Sequence, residues 1–281
     1  MIHRIAVLGA GTMGHGIAHA AAAAGFATRL YDVSPEALSK ARASVEEIVR
    51  KAVDRGKTPA AEADRILGRL ATTPSLPVAL GECDFIIEAI PERIDLKLAL
   101  FAEIDRLAPP HAVLATNTSA LSITELAGSI HLPGRVAGMH FFNPVHKMKL
   151  VEIVRALEST PETLQAIEQV ARAMGKETVL VRESPGFITT RVNASIGNEA
   201  FYMLLEGVAS ARDIDKALKL GLNHPMGPFE LVDLVGLDTR LSILEYLHRS
   251  MGEKYRPCPL LVQYVKAGRL GRKVGRGVFD Y

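Results

Sequence analysis

Along its first two thirds, the chain alternates between short apolar runs and longer stretches in which apolar residues recur with helical spacing. Continuous apolar runs bounded by polar residues are typical of strands buried on both faces of a parallel sheet. Such runs predict strands at 5–8, 28–32, 84–90, 113–116, 136–140, 150–154 and 178–181. The alternation of strands and helices indicates an α/β fold with a doubly wound sheet.

Two of the intervening stretches predict helices with clear starts. Ser34 can cap a helix over residues 35–55 that has proline in its first position. A second helix is predicted from Pro91-Glu92 to about Leu107, with Leu96, Leu100 and Ile104 on its apolar face.

The pattern changes at Ser184-Pro185-Gly186, after which no convincing strand appears before the last few residues. We therefore expect an α/β domain over residues 1–184 and a smaller all-helical domain over 185–281. Apolar stripes on its helices, such as Phe201, Leu204, Leu205 and Val208, need a partner surface. That surface is either a second copy of the chain, in a homodimer, or the first domain.

A glycine-rich turn, Gly9-Ala10-Gly11-Thr12-Met13-Gly14, joins the first predicted strand to the first helix. This order is the context of a Rossmann-type dinucleotide-binding turn. Gly9 would allow the tight turn, Gly11 would let the backbone approach a pyrophosphate, and Gly14 would let the helix pack close to the sheet. The N–H groups at the start of the helix, around Thr12 and Met13, would bind the phosphates. A glycine turn without a ligand is the alternative.

The second predicted strand ends in an acid, Asp32, at the distance expected after the last glycine. A carboxylate there can bind both ribose hydroxyls and would repel a 2′-phosphate. The sequence therefore favours NAD over NADP as the cofactor.

The composition is that of an ordinary globular protein, with 48% hydrophobic residues in 281. Lys and Arg number 33 against 31 Asp and Glu, so the overall charge points neither to nucleic acid nor to a membrane surface. The longest apolar run, 17–27, is too short to span a bilayer. Cys83 and Cys258 lie too far apart to suggest a disulfide framework or a metal site. Because the first predicted strand lies so close to the first residue, no targeting peptide is expected, and we expect a cytoplasmic protein.

His140 and Glu152 are the first candidates for chemistry. If the strands that carry them are adjacent and antiparallel, the loop between them can bring the two side chains together. A carboxylate bonded to one imidazole nitrogen orients the ring and stabilises its protonated form, which leaves a general base. The alternative is a partly buried structural pair.

Four further positions have competing interpretations. Ser119 can donate a hydrogen bond to a reacting oxygen, or it can cap the helix near Ile123. Arg55 lies at a basic helix end that either faces solvent or contacts an anionic substrate. His15 and His19 have the spacing of zinc ligands, but Gly16 stands where the catalytic glutamate would be. No metal is therefore expected.

The combination of these motifs resembles the 3-hydroxyacyl-CoA dehydrogenase family over nearly the whole chain, and most of all its short bacterial members that act on 3-hydroxybutyryl-CoA. The matching stretches are Gly9–Gly14, Glu88–Glu92, Asn117–Ser119, His140–Pro144, Leu150–Glu152, Ser184–Phe187 and Pro225–Glu230.

The resemblance implies that His140 is the base, that Glu152 orients it, and that Ser119 contacts the substrate oxygen. It also implies that NAD is contacted by further residues, namely Glu92, Lys97, Asn143 and Lys273. Arg55 falls where the family has a basic contact to coenzyme A.

One position departs from the family pattern. The family has an asparagine directly before an arginine in the segment after Gly-Phe, and Thr190 stands there in this chain, before Arg191. Its hydroxyl can still donate a hydrogen bond, but with a shorter reach. Asn193, nearly on the same helix face, could replace the asparagine in positioning the substrate.

The leading hypothesis is NAD-dependent interconversion of a short-chain (3S)-3-hydroxyacyl-CoA and the 3-oxoacyl-CoA. Two alternatives stay open: a dehydrogenase of a free hydroxy acid or sugar acid on the same fold, and a non-catalytic NAD-binding protein.

Overall fold

The structure is a computed structural model that describes residues 1–281. The chain divides into two compact units, Met1–Glu183 and Ser184–Tyr281. None of its helices is long and apolar enough to cross a membrane.

The first unit contains eight strands and seven helices. The strands are β1 (Arg4–Leu8), β2 (Ala27–Tyr31), β3 (Leu70–Thr73), β4 (Phe85–Glu88), β5 (Val113–Thr116), β6 (Val136–Phe141), β7 (Leu150–Arg155) and β8 (Glu177–Arg182). The helices are α1 (Thr12–Ala23), α2 (Pro35–Asp54), α3 (Ala60–Gly68), α4 (Leu76–Leu80), α5 (Ile94–Leu107), α6 (Ile123–Ala127) and α7 (Pro161–Ala173).

All eight strands form one sheet in the order β3-β2-β1-β4-β5-β6-β7-β8. Every neighbouring pair is parallel except β6 and β7, which are antiparallel. The predicted α/β doubly wound architecture is confirmed. The strand order reverses between β1 and β4, and at such a point an open sheet forms a crevice for ligands beyond the carboxyl ends of its strands.

The central strands were predictable because they are buried on both faces. All four residues of β4 and all six of β6 are buried. The pattern did not predict α3, β3 or α4. Only Leu70 of the four residues of β3 is buried, so this edge strand has no apolar run.

Helix α5 begins later than predicted and buries a different face. It starts at Ile94, and its buried residues are Lys97, Phe101 and Ile104 rather than Leu96 and Leu100. Leu96 is 38% exposed. The spacing of apolar residues could not identify this face, because Lys97, one of its buried members, is charged.

The second unit has five α-helices, as the loss of strand patterns predicted: α8 (Thr189–Leu205), α9 (Ala211–Gly221), α10 (Pro228–Val235), α11 (Leu237–Met251) and α12 (Pro259–Lys266). Its core includes Phe201 and Phe229, whose rings meet edge to face at 5.1 Å. The predicted apolar stripe is only partly buried, since Leu205, the last residue of α8, and Val208, beyond its end, are 48% and 64% exposed.

Candidate active site

The glycine turn is held by two backbone contacts that only glycine permits. Gly9 has φ +104°, and a Cβ there would lie 2.6 Å from the carbonyl oxygen of Ala89. A Cβ on Gly14 would lie 1.7 Å from the carbonyl oxygen of Gly9. The tight turn predicted at Gly9 is confirmed. The close approach at Gly14 is to the turn itself rather than to the sheet.

The start of α1 offers room for a phosphate group. A Cβ on Gly11 would meet nothing within 4 Å. Helix α1 begins with Thr12 and Met13, and its N-terminus has neither a side-chain cap nor an acidic residue in the first turn. Open space beside uncapped N–H groups fits the pyrophosphate of a dinucleotide.

Asp32 follows β2 and connects the glycine turn to it. Its Oδ2 accepts a hydrogen bond from Ala10 N at 2.8 Å, and its Oδ1 accepts one from Ser34 N at 3.0 Å. A carboxylate therefore lies directly beside the glycine turn, where an NAD-selective ribose contact requires one.

His140 and Glu152 face each other across the antiparallel pair β6 and β7. They are register partners, and His140 Nδ1 lies 2.7 Å from Glu152 Oε2. His140 is 4% exposed and Glu152 is fully buried. The predicted adjacency and antiparallel pairing of the two strands are confirmed. Removed from water, a carboxylate at this distance stabilises an imidazolium ion strongly.

Sequence reasoning did not identify Asn117 as a support for this pair. The backbone pairing of β5 with β6 ends at Thr116 and Gly138. Beyond it, Asn117 Oδ1 accepts a hydrogen bond from Phe141 N at 2.8 Å. The amide side chain thus extends the connection between the two strands to the residue that follows His140.

Glu88 is a second residue that sequence reasoning missed. It ends β4 and is fully buried, and its Oε1 accepts hydrogen bonds from Lys97 Nζ at 2.6 Å and from Ile90 N at 2.8 Å. Its Oε2 accepts one from Thr116 Oγ1 at 2.6 Å. An acid at the end of a wholly apolar strand was the available signal, because such a group needs buried partners.

Lys97 connects this buried carboxylate to Glu92. The ammonium group is 1% exposed and lies 3.5 Å from Glu92 Oε2. Glu92 Oε1 in turn accepts hydrogen bonds from Ser119 N at 2.7 Å and from Thr118 Oγ1 at 2.6 Å. The chain of contacts from Glu88 through Lys97 and Glu92 therefore fixes the loop that carries Ser119.

Ser119 is not a helix cap. Ser122 Oγ accepts a hydrogen bond from Glu125 N and caps α6. The structural alternative considered for Ser119 is therefore wrong, and its backbone is held by Glu92 instead.

The loop between β6 and β7 carries Asn143 and His146. Lys176 Nζ donates hydrogen bonds to the carbonyl oxygens of Val145, at 2.5 Å, and Met148, at 2.8 Å. On the other side the loop packs against α1, where a Cβ on Gly16 would lie 3.0 Å from the side chain of Val145. The loop is thus anchored both to α1 and to the segment before β8.

Arg55 follows α2 and lines a cavity of about 590 Å³ formed by α1, α2, the segment after α2 and the β6–β7 loop. The cavity is strongly basic. Its basic residues are His15, His19, Lys51, Arg55, Lys57, His146 and Lys147. The single acid, Glu47, is paired with Lys51 at 2.5 Å. This surplus of positive charge suits a polyanionic ligand.

The histidines of this cavity form no metal centre. No group of three or more His, Cys, Asp or Glu side chains is placed to hold a metal ion. His15 Nδ1 lies 3.0 Å from Gly11 O. His19 Nδ1 is buried without a hydrogen-bond partner. Burial, then the nearby His146, Lys176 and His15, lower the pKa of His19 to about 4.

The remaining sequence-predicted residues belong to the second unit. Thr190 lies in the first turn of α8, Asn193 follows one turn later, and both are half-buried. Lys273 Nζ donates to both carboxylate oxygens of Asp238 at 2.6 Å. That bond contributes to holding the pKa of Asp238 below its usual range, against the opposing effect of burial.

Comparison with known proteins gives a consistent result for both units. Residues 4–184 match the model of the 3-hydroxyacyl-CoA dehydrogenase NAD-binding domain. Residues 186–281 match the model of the C-terminal domain of 3-hydroxyacyl-CoA dehydrogenase.

Individual relatives match over the full length of the chain. A probable 3-hydroxybutyryl-CoA dehydrogenase of Bacillus subtilis is 48% identical, and the match covers 100% of this chain and 98% of the relative. The 3-hydroxybutyryl-CoA dehydrogenase of Bradyrhizobium diazoefficiens is 42% identical over 100% and 96%. The crystal structure of (S)-3-hydroxybutyryl-CoA dehydrogenase from Ralstonia eutropha superposes with a TM-score of 0.97 at 41% identity, over 100% and 99% of the two chains.

Proposed function

Because the chain belongs to the 3-hydroxyacyl-CoA dehydrogenase family, and carries both its NAD-binding and its C-terminal domain, we propose that it interconverts (S)-3-hydroxybutyryl-CoA and acetoacetyl-CoA. The observation that carries this proposal is the buried His140–Glu152 pair near the carboxyl end of β6. The pair is a base with its orienting carboxylate, and the glycine turn and Asp32 supply a site that fits NAD.

In this mechanism the Nε2 of His140 removes the proton from the substrate's 3-hydroxyl group. The glycine turn and Asp32 would hold NAD, which would supply an acceptor for the hydride of C3. Glu152 stabilises the imidazolium ion formed at His140, and Ser119 donates a hydrogen bond to the reacting oxygen. Such general-base catalysis is worth roughly 10²–10⁴-fold in rate.

We assign cofactor binding to the glycine turn (Gly9, Gly11, Thr12, Met13 and Gly14), Asp32, Glu92, Lys97, Asn143 and Lys273. Glu92 and Lys97 also support the loop that carries Ser119 in this assignment. Glu92 accepts a hydrogen bond from the backbone N–H of Ser119, and Lys97 is buried beside Glu92. Asn143 is supported by its place in the anchored loop three residues after His140.

Thr190 or Asn193 positions the acyl group, and Arg55 binds a phosphate of coenzyme A. The basic cavity beside Arg55 supports the second assignment. The exposed Leu205 and Val208 support a homodimer formed through the helical domain, residues 185–281, and the molar mass measured by light scattering tests it. Two buried cysteines suit a reducing, cytoplasmic location.

The decisive experiment follows NADH formation with (S)-3-hydroxybutyryl-CoA, with free 3-hydroxybutyrate as the comparison. We expect turnover of the thioester only, and a loss of roughly 10²-fold or more in kcat for His140→Gln. Turnover of the free acid alone would favour the hydroxy-acid alternative. Tight NAD binding without turnover of any thioester would favour the non-catalytic one.

A further inference from the structure

The basic cavity contains two histidines whose surroundings the proposed reaction does not explain. The rings of His19, on α1, and His146, on the β6–β7 loop, meet edge to face with centroids 6.4 Å apart. His19 Nδ1 is buried with no partner, although buried polar atoms nearly always have one. Both rings line the cavity to which Arg55 contributes.

The two rings are surrounded mainly by positive charge. Lys176 and His15 lie near both of them, and Lys147 lies near His146. Across the cavity, α2 and the segment after it present Lys51, Arg55 and Lys57, together with the single carboxylate of Glu47. That carboxylate is already paired with Lys51, so it offers the histidines little compensation.

Burial and these cations together disfavour the protonated form of both rings. Burial contributes most to lowering the pKa of His19 to about 4. Burial, Lys147, Lys176 and His15 lower the pKa of His146. An anion inside the cavity acts in the opposite direction on each ring, because an opposite charge within about 4–6 Å favours the protonated form.

We propose that His19 and His146 bind the phosphate groups of coenzyme A as imidazolium ions, so that binding of the thioester takes up protons from solution. The choice of coenzyme A rests on the proposed function. The cavity itself has four permanently charged side chains, those of Lys51, Arg55, Lys57 and Lys147. Its one carboxylate is already paired, and the buried Nδ1 of His19 can accept a proton.

The direction of the pH dependence follows from linkage. Phosphate raises the pKa of each ring in the complex above its value in the free protein. Affinity for coenzyme A therefore increases as the pH falls through the raised pKa, and it levels off below the pKa of the free protein.

Calorimetry of coenzyme A binding tests this proposal. Titrations at about pH 6 in two buffers of different ionisation enthalpy give the number of protons exchanged. We expect an uptake of about 0.5–2 protons with coenzyme A, and none with pantetheine, which lacks the nucleotide phosphates. Comparison with 3′-dephospho-coenzyme A separates the 3′-phosphate from the pyrophosphate.

The variants His19→Gln and His146→Gln should each reduce the uptake and weaken coenzyme A binding by about 5–50-fold at pH 6, with a much smaller effect at pH 8. The matched control is His111→Gln, whose exposed ring lies near Asp84 and outside the cavity. NAD affinity, measured in parallel, shows that each variant is folded.

Equal binding enthalpies of 3′-dephospho-coenzyme A in the two buffers would overturn the inference while leaving the proposed function intact, because this ligand has no 3′-phosphate that releases a proton of its own near pH 6. Unchanged proton uptake in both histidine variants would do the same. A chain that binds NAD but neither binds coenzyme A nor turns over the thioester would contradict the proposed function, and the inference with it.

Discussion

His140 and Glu152 are paired both through the backbone and through their side chains. The two residues are opposite each other in the register of β6 and β7, and His140 Nδ1 lies 2.7 Å from Glu152 Oε2. Because side chains alternate between the faces of a sheet, a slip of one residue would move one member of the pair to the other face. The register that folds the sheet therefore also assembles the proposed base.

Replacing the orienting carboxylate should reduce catalysis without affecting cofactor binding. Glu152→Gln keeps the size of the side chain but removes the charge that stabilises an imidazolium ion. We expect kcat with (S)-3-hydroxybutyryl-CoA to fall by roughly 10²–10³-fold, and the Kd for NAD to change little. Steady-state kinetics and NAD titration measure the two effects. The control Glu158→Gln, on an exposed acid, should retain full activity.

The buried ion pair of Glu88 and Lys97 should show a strong coupling. Lys97→Met leaves a buried carboxylate uncompensated, and we expect it to reduce the free energy of unfolding by about 3–5 kcal/mol. The double variant Lys97→Met with Glu88→Gln removes both charges and should recover a large part of this loss. Urea denaturation measures the free energy of unfolding of the unmodified protein, of Lys97→Met and of the double variant.

A surface ion pair serves as the control for the variants of the buried pair. Arg172→Met breaks an exposed contact to Glu168 and should cost at most about 1 kcal/mol. If the double variant were no more stable than Lys97→Met alone, the buried charge of Glu88 would not be the cause of the loss.

Asp32 should determine the choice between the two nicotinamide cofactors. Asp32→Asn keeps an acceptor for one backbone N–H group of the glycine turn but removes the charge that repels a 2′-phosphate. We expect kcat/KM with NAD to fall about tenfold and kcat/KM with NADP to rise by a similar factor. Asp64→Asn, on an exposed acid, serves as the control. An unchanged ratio between the cofactors would show that another group makes the selection.

Arg240 should be a source of instability. This arginine of α11 is 2% exposed, and its Nε has no hydrogen-bond partner. Burial lowers its pKa to about 10, so the folded protein binds this proton less tightly than the unfolded chain does. The charge therefore destabilises the folded state at every pH below about 10.

The corresponding measurement is the melting temperature of Arg240→Met. Replacing the charge by an apolar side chain of similar length should raise the free energy of unfolding by about 1–3 kcal/mol and the Tm by several degrees. Arg249→Met, at an exposed position of the same helix, should leave the Tm nearly unchanged. A lower Tm for the Arg240 variant would contradict the cost assigned to its charge.

The parts of the site that could be predicted are those in which one local signal determines the geometry. The apolar run of β4 and the glycine turn each have one structural solution. The short connection between 140 and 150 makes antiparallel pairing of β6 and β7 the natural outcome. These features predicted the central strands of the sheet and made His140 and Glu152 a candidate pair.

The parts that could not be predicted depend on partners distant in the sequence. Lys97 is buried because Glu88 and Glu92 converge on it. The spacing of apolar residues does not indicate such an ion pair. The basic cavity joins the basic end of α2 to histidines of α1 and of the β6–β7 loop, and no pattern in the sequence brings these segments together. The edge strand β3 is held by pairing with β2 rather than by its own residues.

The close packing of Val145 against Gly16 has a consequence for how the two ligands affect each other's binding. The helix that begins at the glycine turn is also the surface on which the β6–β7 loop rests, and that loop carries His146 into the basic cavity. A dinucleotide that immobilises α1 therefore also restrains one wall of the proposed thioester site. Because such coupling is reciprocal, each ligand should increase the affinity for the other by the same factor.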